Sequence, residues 1–175
     1  TIENEDVDYF SVECKKGQRL SVEIEGMRLA NQTVFDPAIA ILNSKRFEIA
    51  TSDDSAFAAQ DGVMSVIIPE DGTYTIMVRE TRYGGNGECR YRLHVGTFPR
   101  PIACVPAGGK LGEEVEVTFI GDASGPIKQK VKLPAKPDPE FGLFVQDAGG
   151  ISPSPLPFRL STLGNFVETA ASEFS

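Results

Sequence analysis

Alternating polar and apolar residues, interrupted every few positions by glycine or proline, are the feature that most constrains this fold. Residues 9–14 place Phe10, Val12 and Cys14 on one side and polar or amphipathic residues on the other. Successive side chains of a strand point to opposite faces, so this period predicts β-strands with one face in a core. The pattern recurs at 20–25, 63–68, 73–78 and 90–95. With no convincing amphipathic helix, we predict an all-β fold with seven or eight strands in residues 1–97.

Two segments add detail to this prediction. Residues 38–42 read AIAIL without a polar residue, which is typical of a strand buried on both faces. The glycine-rich sequence GGNG at 84–87 predicts a hairpin loop before the last of these strands.

The sequence TFPRP at 97–101 interrupts the strand pattern and predicts a domain boundary, because each proline removes a backbone donor from a sheet. We place one domain at residues 1–97 and a smaller one at residues 98–165. Residues 166–175 carry no pattern and are interpreted as a linker or tail.

Two further strands are predicted beyond the boundary, at 114–120 and 127–133, and the second carries a stripe of three lysines. In one hairpin register Glu116 faces Lys130 and Glu114 faces Lys132, which pairs opposite charges across the strands. An acidic ligand is the alternative use of the lysine stripe.

The charge balance excludes some classes of function. The chain of 175 residues has 17 Lys and Arg against 25 Asp and Glu, a net charge of -8. Without a dense basic cluster to offset that charge, nucleic acid is not an expected partner. Hydrophobic residues make up 41%, which is enough for a core and excludes disorder of the whole chain. No apolar run approaches the ~20 residues of a membrane span.

The residues that catalysis requires are nearly absent. The single histidine, His94, shares the polar face of a predicted strand with Arg90 and Arg92, which favours a solvated residue over a catalytic base. No serine or cysteine has an evident base, so we predict that the chain is not an enzyme. One acidic stretch offers carboxylates either to a hard cation or, as the simpler interpretation, to solvent: Asp53, Asp54 and Asp61.

A series of short motifs in order resembles the bacterial pre-peptidase C-terminal domain. The series covers residues 1–97 and comprises DVDYFSV at 6–12, KGQRL at 16–20, DP at 36–37, TSDD at 51–54, PEDGTY at 69–74 and YRL at 91–93. The resemblance implies a jelly-roll-like antiparallel β-sandwich of a kind found in secreted proteins, commonly beside peptidase domains.

The sequence after the boundary is similar to the start of an immunoglobulin-like domain of the TIG type. The matching positions are PI at 101–102, VPAGG at 105–109, Gly112, Val115, Val117 and Gly121. This second resemblance implies a smaller immunoglobulin-like β-sandwich following the first. Alternation of such modules is familiar from very long surface or secreted bacterial proteins.

The first resemblance also implies calcium. In calcium-binding relatives two acids just before and at the D-Y-F-like start help to hold the ion; Asp8 matches the second, and Glu5 or Asp6 the first. The other ligands there come from an acidic upstream segment, and this chain begins just after the place where it should be. We therefore expect the chain alone to bind calcium weakly or not at all. The alternative is that these acids are solvated or cap the start of the strand.

Three cysteines are too few for a disulfide scaffold. Cys14 lies on the apolar face of the first predicted strand and Cys89 on that of the last. If those strands are antiparallel neighbours, as in a jelly roll, a Cys14–Cys89 disulfide suits an exported protein and leaves Cys104 free. Two buried free thiols are the equal alternative.

These features favour a non-catalytic adhesion, binding or spacer module of a larger exported bacterial protein, secreted or at the cell surface. Its expected partners are neighbouring domains of the same long chain and a protein or polysaccharide ligand. The alternatives are a processing or regulatory domain of a secreted peptidase and a carbohydrate-binding module, since jelly rolls host many functions.

Overall fold

The computed structural model describes residues 1–29 and 35–164. Over these ranges the regular structure consists of β-strands and a single 3₁₀ turn at Met27–Leu29, so the all-β prediction is confirmed. No helix in the same ranges is long and apolar enough to cross a membrane. The segment interpreted as a linker or tail, 166–175, lies outside the described residues.

The first seven strands form what we call the N-terminal unit. They are β1 (Val7–Cys14), β2 (Arg19–Glu25), β3 (Pro37–Leu42), β4 (Glu48–Ser52), β5 (Val63–Ile67), β6 (Gly72–Glu80) and β7 (Arg92–Gly96). One sheet has the order β1-β6-β3-β4 and the other the order β5-β2-β7, and all pairings in them are antiparallel. Within the described part of residues 1–97 the count is seven strands, which agrees with the prediction of seven or eight.

The first hydrophobic core of the chain is built from both of these sheets. Its fully buried side chains include Val22 and Ile24 from β2 and Ile39 and Ile41 from β3. β3 is buried along nearly its whole length, as its continuous apolar sequence predicts, because it is an inner strand of its sheet.

The connection at residues 84–87 is not the hairpin that the sequence predicts. It follows β6 in the four-stranded sheet and leads to β7, which pairs with β2 in the other sheet. The hairpin prediction is therefore wrong. Period-two patterning identifies strands, but two successive strands in different sheets produce the same pattern as a hairpin.

The remaining strands form what we call the C-terminal unit. They are β8 (Ala103–Val105), β9 (Gly108–Lys110), β10 (Glu114–Ile120), β11 (Ile127–Lys132), β12 (Gly142–Leu143), β13 (Gln146–Asp147), β14 (Gly150–Ile151), β15 (Leu156–Pro157) and β16 (Arg159–Ser161). β11, β10 and β8 form one antiparallel sheet, while β16 pairs with β9 in parallel. A second hydrophobic core, separate from the first, includes Val117, Phe119, Val145 and Phe158.

The hairpin of β10 and β11 has the predicted register. Glu114 lies opposite Lys132, and Glu116 lies opposite Lys130. The close ion pair runs diagonally, with Lys128 Nζ 3.8 Å from Glu116 Oε1, while Lys132 Nζ donates to a backbone carbonyl. Lysines on this edge strand also hinder pairing with a foreign strand.

Candidate functional site

The polar face of β2 is buried, although a strand with this alternation is expected to leave that face in water. Arg19, Ser21 and Glu23 are 8%, 0% and 0% exposed. Each of them contacts residues that follow β7, including Phe98 O, which accepts the Ser21 hydroxyl at 2.6 Å. We call this contact region between the two units the junction.

Arg19 crosses the junction to two carboxylates of the C-terminal unit. Its Nη1 donates to Asp122 Oδ1 at 3.0 Å, and its Nη2 donates to Asp147 Oδ1 at 2.8 Å and to Thr97 O at 2.6 Å. Burial alone would lower the pKa of Arg19, but hydrogen bonds and charges from Asp147 and Asp122 raise it above its ordinary value. The same hydrogen bond holds the pKa of the Asp147 carboxyl below its usual range.

Asp122 has its remaining acceptor capacity filled locally. Its Oδ2 accepts the backbone N–H of Arg100 at 2.6 Å, and its Oδ1 also accepts the N–H of Ser124 at 2.8 Å. A carboxylate that is 6% exposed is tolerated because charged and neutral donors surround it.

A second group of charges at the junction centres on Glu23. Its Oε1 lies 2.9 Å from Arg28 Nη1 and accepts the Ser154 hydroxyl, while its Oε2 lies 2.8 Å from Arg100 Nε. Arg28 belongs to the N-terminal unit, Arg100 lies within the predicted boundary segment at 97–101, and Ser154 lies between β14 and β15. One buried carboxylate thus serves two arginines from opposite sides of the junction.

Asp61 supports Arg28 from within the N-terminal unit. It is fully buried, accepts Arg28 Nε at 2.8 Å and accepts the backbone N–H groups of Gly26 and Met27 at 2.9 and 2.7 Å. The solvated interpretation of Asp61 is therefore wrong. Asp53 and Asp54, by contrast, are exposed as expected.

Arg100 has the least complete set of partners in the junction. The residue is 2% exposed, and its Nη1 is buried without a hydrogen-bond partner. Its Nε is close to Glu23 Oε2 but does not meet it in hydrogen-bonding geometry. Burial lowers the pKa of Arg100, Glu23 opposes that shift, and the positive charge of Arg28 adds to it.

A cavity of about 250 Å³ lies at the junction, and Arg100 lines it. The rest of its wall is mostly apolar and comes from the turn at residues 54–58, from Val63, from residues 101–103 and from Leu156. A smaller cavity of about 50 Å³ shares Phe57, Ala103 and Leu156 with it. Phe57, which is 58% exposed, belongs to both walls.

A known family matches most of the N-terminal unit. Residues 6–80 match the bacterial pre-peptidase C-terminal domain. The match spans β1 to β6 and agrees with the resemblance in the motifs; β7 and the C-terminal unit lie outside it. Pre-peptidase C-terminal domains are usually non-catalytic modules of secreted proteases. No curated protein matches this chain.

Of the three acids predicted to help bind calcium, Asp8 and Asp6 have carboxylate oxygens in other contacts, and Glu5 is held by its backbone. Asp8 accepts the Tyr91 hydroxyl, and Asp6 Oδ1 accepts the Val7 N–H at 2.9 Å. Glu5 donates its own N–H to Tyr83 O at 2.8 Å. In the described ranges no three His, Cys, Asp or Glu residues are arranged to hold a metal ion. Calcium binding requires further ligands and remains a prediction.

The strand order separates the two cysteines that were considered for a disulfide. β1 pairs with β6 and β7 pairs with β2, so the first and last strands of the N-terminal unit are not neighbours. Cys14 ends β1, whereas the backbone of Cys89 accepts the N–H of Ile2, which precedes β1. Cys14, Cys89 and Cys104 are buried free thiols in the structure.

His94 belongs to a pair rather than standing alone in solvent. Its Nε2 lies 2.9 Å from Glu25 Oε1, and the other oxygen of Glu25 accepts Arg92 Nη1 at 2.8 Å. The pair lies on adjacent strands of one sheet, so its role here is to hold β7 against β2.

Proposed function

We propose that this chain is a rigid, non-catalytic pair of domains that binds or spaces neighbouring parts of a larger exported bacterial protein. In this proposal residues 1–97 and 98–165 are the two domains, the second of them immunoglobulin-like. The match to the pre-peptidase C-terminal domain supports the exported, non-catalytic setting.

The main support for a rigid pair of domains is the burial of the polar face of β2. Domains joined only by a linker face each other across water, and relative motion is the default expectation for them. Here Arg19 and Glu23 are removed from water and form ion pairs across the junction with Asp122 and Arg100, which are buried as well. Any change in the angle between the units would leave charges buried without a partner, which opposes such motion.

Differential scanning calorimetry tests whether the two units are rigidly joined, because it shows whether they unfold together. We expect the native chain to unfold in a single transition, because the units share buried ion pairs, and Asp122→Ala to separate it into two. Asp71→Ala is the matched control, since it removes another ion-paired aspartate whose side chain is 62% exposed. Two transitions in the native chain, unaffected by Asp122→Ala, would contradict the proposal.

A substrate panel tests the non-catalytic part. We expect no hydrolysis of peptide, ester or glycoside substrates, because the junction charges are paired with one another and His94 is paired with Glu25. Hydrolysis that disappears in His94→Ala would overturn this conclusion.

A further inference from the structure

The strand β1 lies at the end of its sheet and leaves one edge open. It is the first strand in the order β1-β6-β3-β4, and among the described residues only β6 pairs with it. The backbone groups that point away from β6 therefore have no described strand beside them. An edge of this kind is a template for pairing with a strand of another chain.

The other edge strands have features that hinder such pairing, and β1 lacks them. The register of β4 with β3 is interrupted by a shift, β11 carries three lysines, and β8 has only three residues between Pro101 and Pro106. β1 has eight residues, no proline and an unbroken register with β6. Of the edge strands in the described ranges it is the longest, and it is the best suited to accept a partner strand.

The charged side chains within β1 do not block this edge. Asp8 accepts the Tyr91 hydroxyl, and Glu13 accepts the Thr73 hydroxyl at 2.5 Å, so both carboxylates are held against the N-terminal unit. The large side chains left in water are aromatic, with Tyr9 56% and Phe10 42% exposed. Because successive residues point to opposite faces, a strand added at this edge would cover apolar surface on both faces of the sheet.

We propose that β1 pairs antiparallel with β1 of a second copy of this chain, so that the two four-stranded sheets become one continuous sheet. This dimer goes beyond the spacer role and does not depend on the junction, because the junction involves β2 in the other sheet. A failure of the dimer would leave the rigid pair of domains unaffected.

The charges at the two ends of β1 are complementary to each other. Asp6 immediately precedes the strand, and Lys15 and Lys16 immediately follow it. Lys16 is exposed, and its ammonium group has no ion-pair partner within residues 1–29 and 35–164. Antiparallel pairing of two identical strands brings the acidic start of each beside the basic end of the other, whereas parallel pairing would bring like charges together. The occupant that fits this edge is therefore another β1.

The geometry of antiparallel pairing restricts the register of the dimer. Opposed residues direct their backbone groups either both toward the partner strand or both away from it, so identical strands pair about a residue and not about a peptide bond. Centring on Ser11 places Asp6 opposite Lys16 of the second copy. Centring on Phe10 would use Glu5 instead, but the φ of 61° at Glu5 is not that of an extended strand. We therefore place the two-fold axis at Ser11.

Sedimentation equilibrium of the whole chain, at about 1 µM to 1 mM, tests for the dimer. We expect a monomer–dimer equilibrium that weakens as salt is added, because the charges at the strand ends are exposed. A monomer at every concentration would overturn the proposal. Open-ended assembly would also overturn it, since pairing about a two-fold axis closes at the dimer.

Charge reversal tests the register. Lys16→Glu places acids opposite each other at both ends of the paired strands and should weaken dimerisation at least about tenfold, while the double variant with Asp6→Lys should recover to within about threefold. Lys45→Glu makes the same change in net charge in the exposed turn between β3 and β4, and this control should leave the dimer unchanged. Native dimerisation in Lys16→Glu, or no recovery in the double variant, would contradict the register.

A chemical cross-link locates the two-fold axis. Directly opposed residues of an antiparallel pair have Cβ atoms about 4.5 to 5.5 Å apart, so a short bis-maleimide should join Ser11→Cys between copies. Ser44→Cys, exposed in the turn between β3 and β4, is the control and should not be joined. The native thiols are buried and do not compete. A dimer in which Ser11→Cys is not joined would overturn the assignment to β1.

Discussion

Arg19 Nη1 and Asp122 Oδ1 lie 3.0 Å apart, although 103 positions separate the two residues in the chain. Their side chains are only 7% and 0% exposed. The first residue starts β2, and the second follows β10 in the other unit. This contact favours the observed relative position of the two β units, because separating them would leave a buried charge without its partner.

Replacing Arg19 by Met should destabilise the chain strongly. Arg19→Met leaves Asp122 buried without its cation, and breaking a buried pair in this way costs about 3 to 5 kcal/mol of unfolding free energy. Urea unfolding followed by circular dichroism measures the loss. Lys15→Ala, which removes a pair whose side chains are 82% and 62% exposed, should leave the midpoint unchanged. Equal midpoints for Arg19→Met and the native chain would contradict the role of Arg19.

The stability that the junction contributes should decrease at acidic pH. Arg19 lowers the pKa of Asp147 in the folded state below the ordinary value of 3.8. Stability from this contact is therefore complete above pH 3.8 and is lost as the pH falls through the lower folded-state pKa.

Urea midpoints measured between about pH 2 and pH 6 check this dependence, a range that brackets the ordinary Asp pKa. The native midpoint should fall more steeply at the acid end than that of Asp147→Asn. Asp138→Asn changes the net charge equally at an exposed position and serves as the control. Parallel curves for the native chain and Asp147→Asn would show that the Arg19 contact contributes no acid dependence.

The cysteines should behave as three buried thiols. Burial raises the pKa of Cys14 and of Cys104, so both should react slowly with a thiol reagent in the folded protein at pH 8. After unfolding without a reductant, three thiols should react. A count of one would instead support the Cys14–Cys89 disulfide considered from the sequence, and a count of three excludes it.

Calcium binding should require more ligands than this chain supplies. We expect the chain itself to bind calcium weakly or not at all, because Asp8 is bound to Tyr91 and the described acids are too few for six to eight oxygen ligands. A protein extended upstream by an acidic segment should bind through Asp8. Calorimetric titration of both proteins and of Asp8→Ala in the longer one measures this. Tight binding by the short chain, or unchanged binding by Asp8→Ala in the longer protein, would refute the hypothesis.

The register of the second hairpin was predictable because local information determines it. The charges that alternate along β10 and β11 pair favourably when Glu116 lies opposite Lys130, and the short intervening turn limits the other registers. The apolar face of β2 was predictable for a similar reason, whereas the burial of β3 was predicted from its uninterrupted apolar sequence. A single strand contains its own period, and that period decides which side chains enter the core.

The junction was not predictable in the same way. Alternation shows that Ser21 and Glu23 point away from the core, but it does not show whether water or another unit covers them. The partners Arg100 and Asp122 lie far along the chain and belong to no motif. The available signals were a cation, a hydroxyl and an anion on one face of β2, and an arginine between two prolines at the predicted boundary.

The shared carboxylate of Glu23 has a consequence for how such chains evolve. Recombination that placed a different unit after β7 would have to supply counterparts of Arg100 and Ser154 for Glu23, and of Asp122 for Arg19. A replacement unit without them could pack on β2 only by burying isolated charges. Any unit that packs on β2 in this way therefore needs its own partners for Arg19 and Glu23.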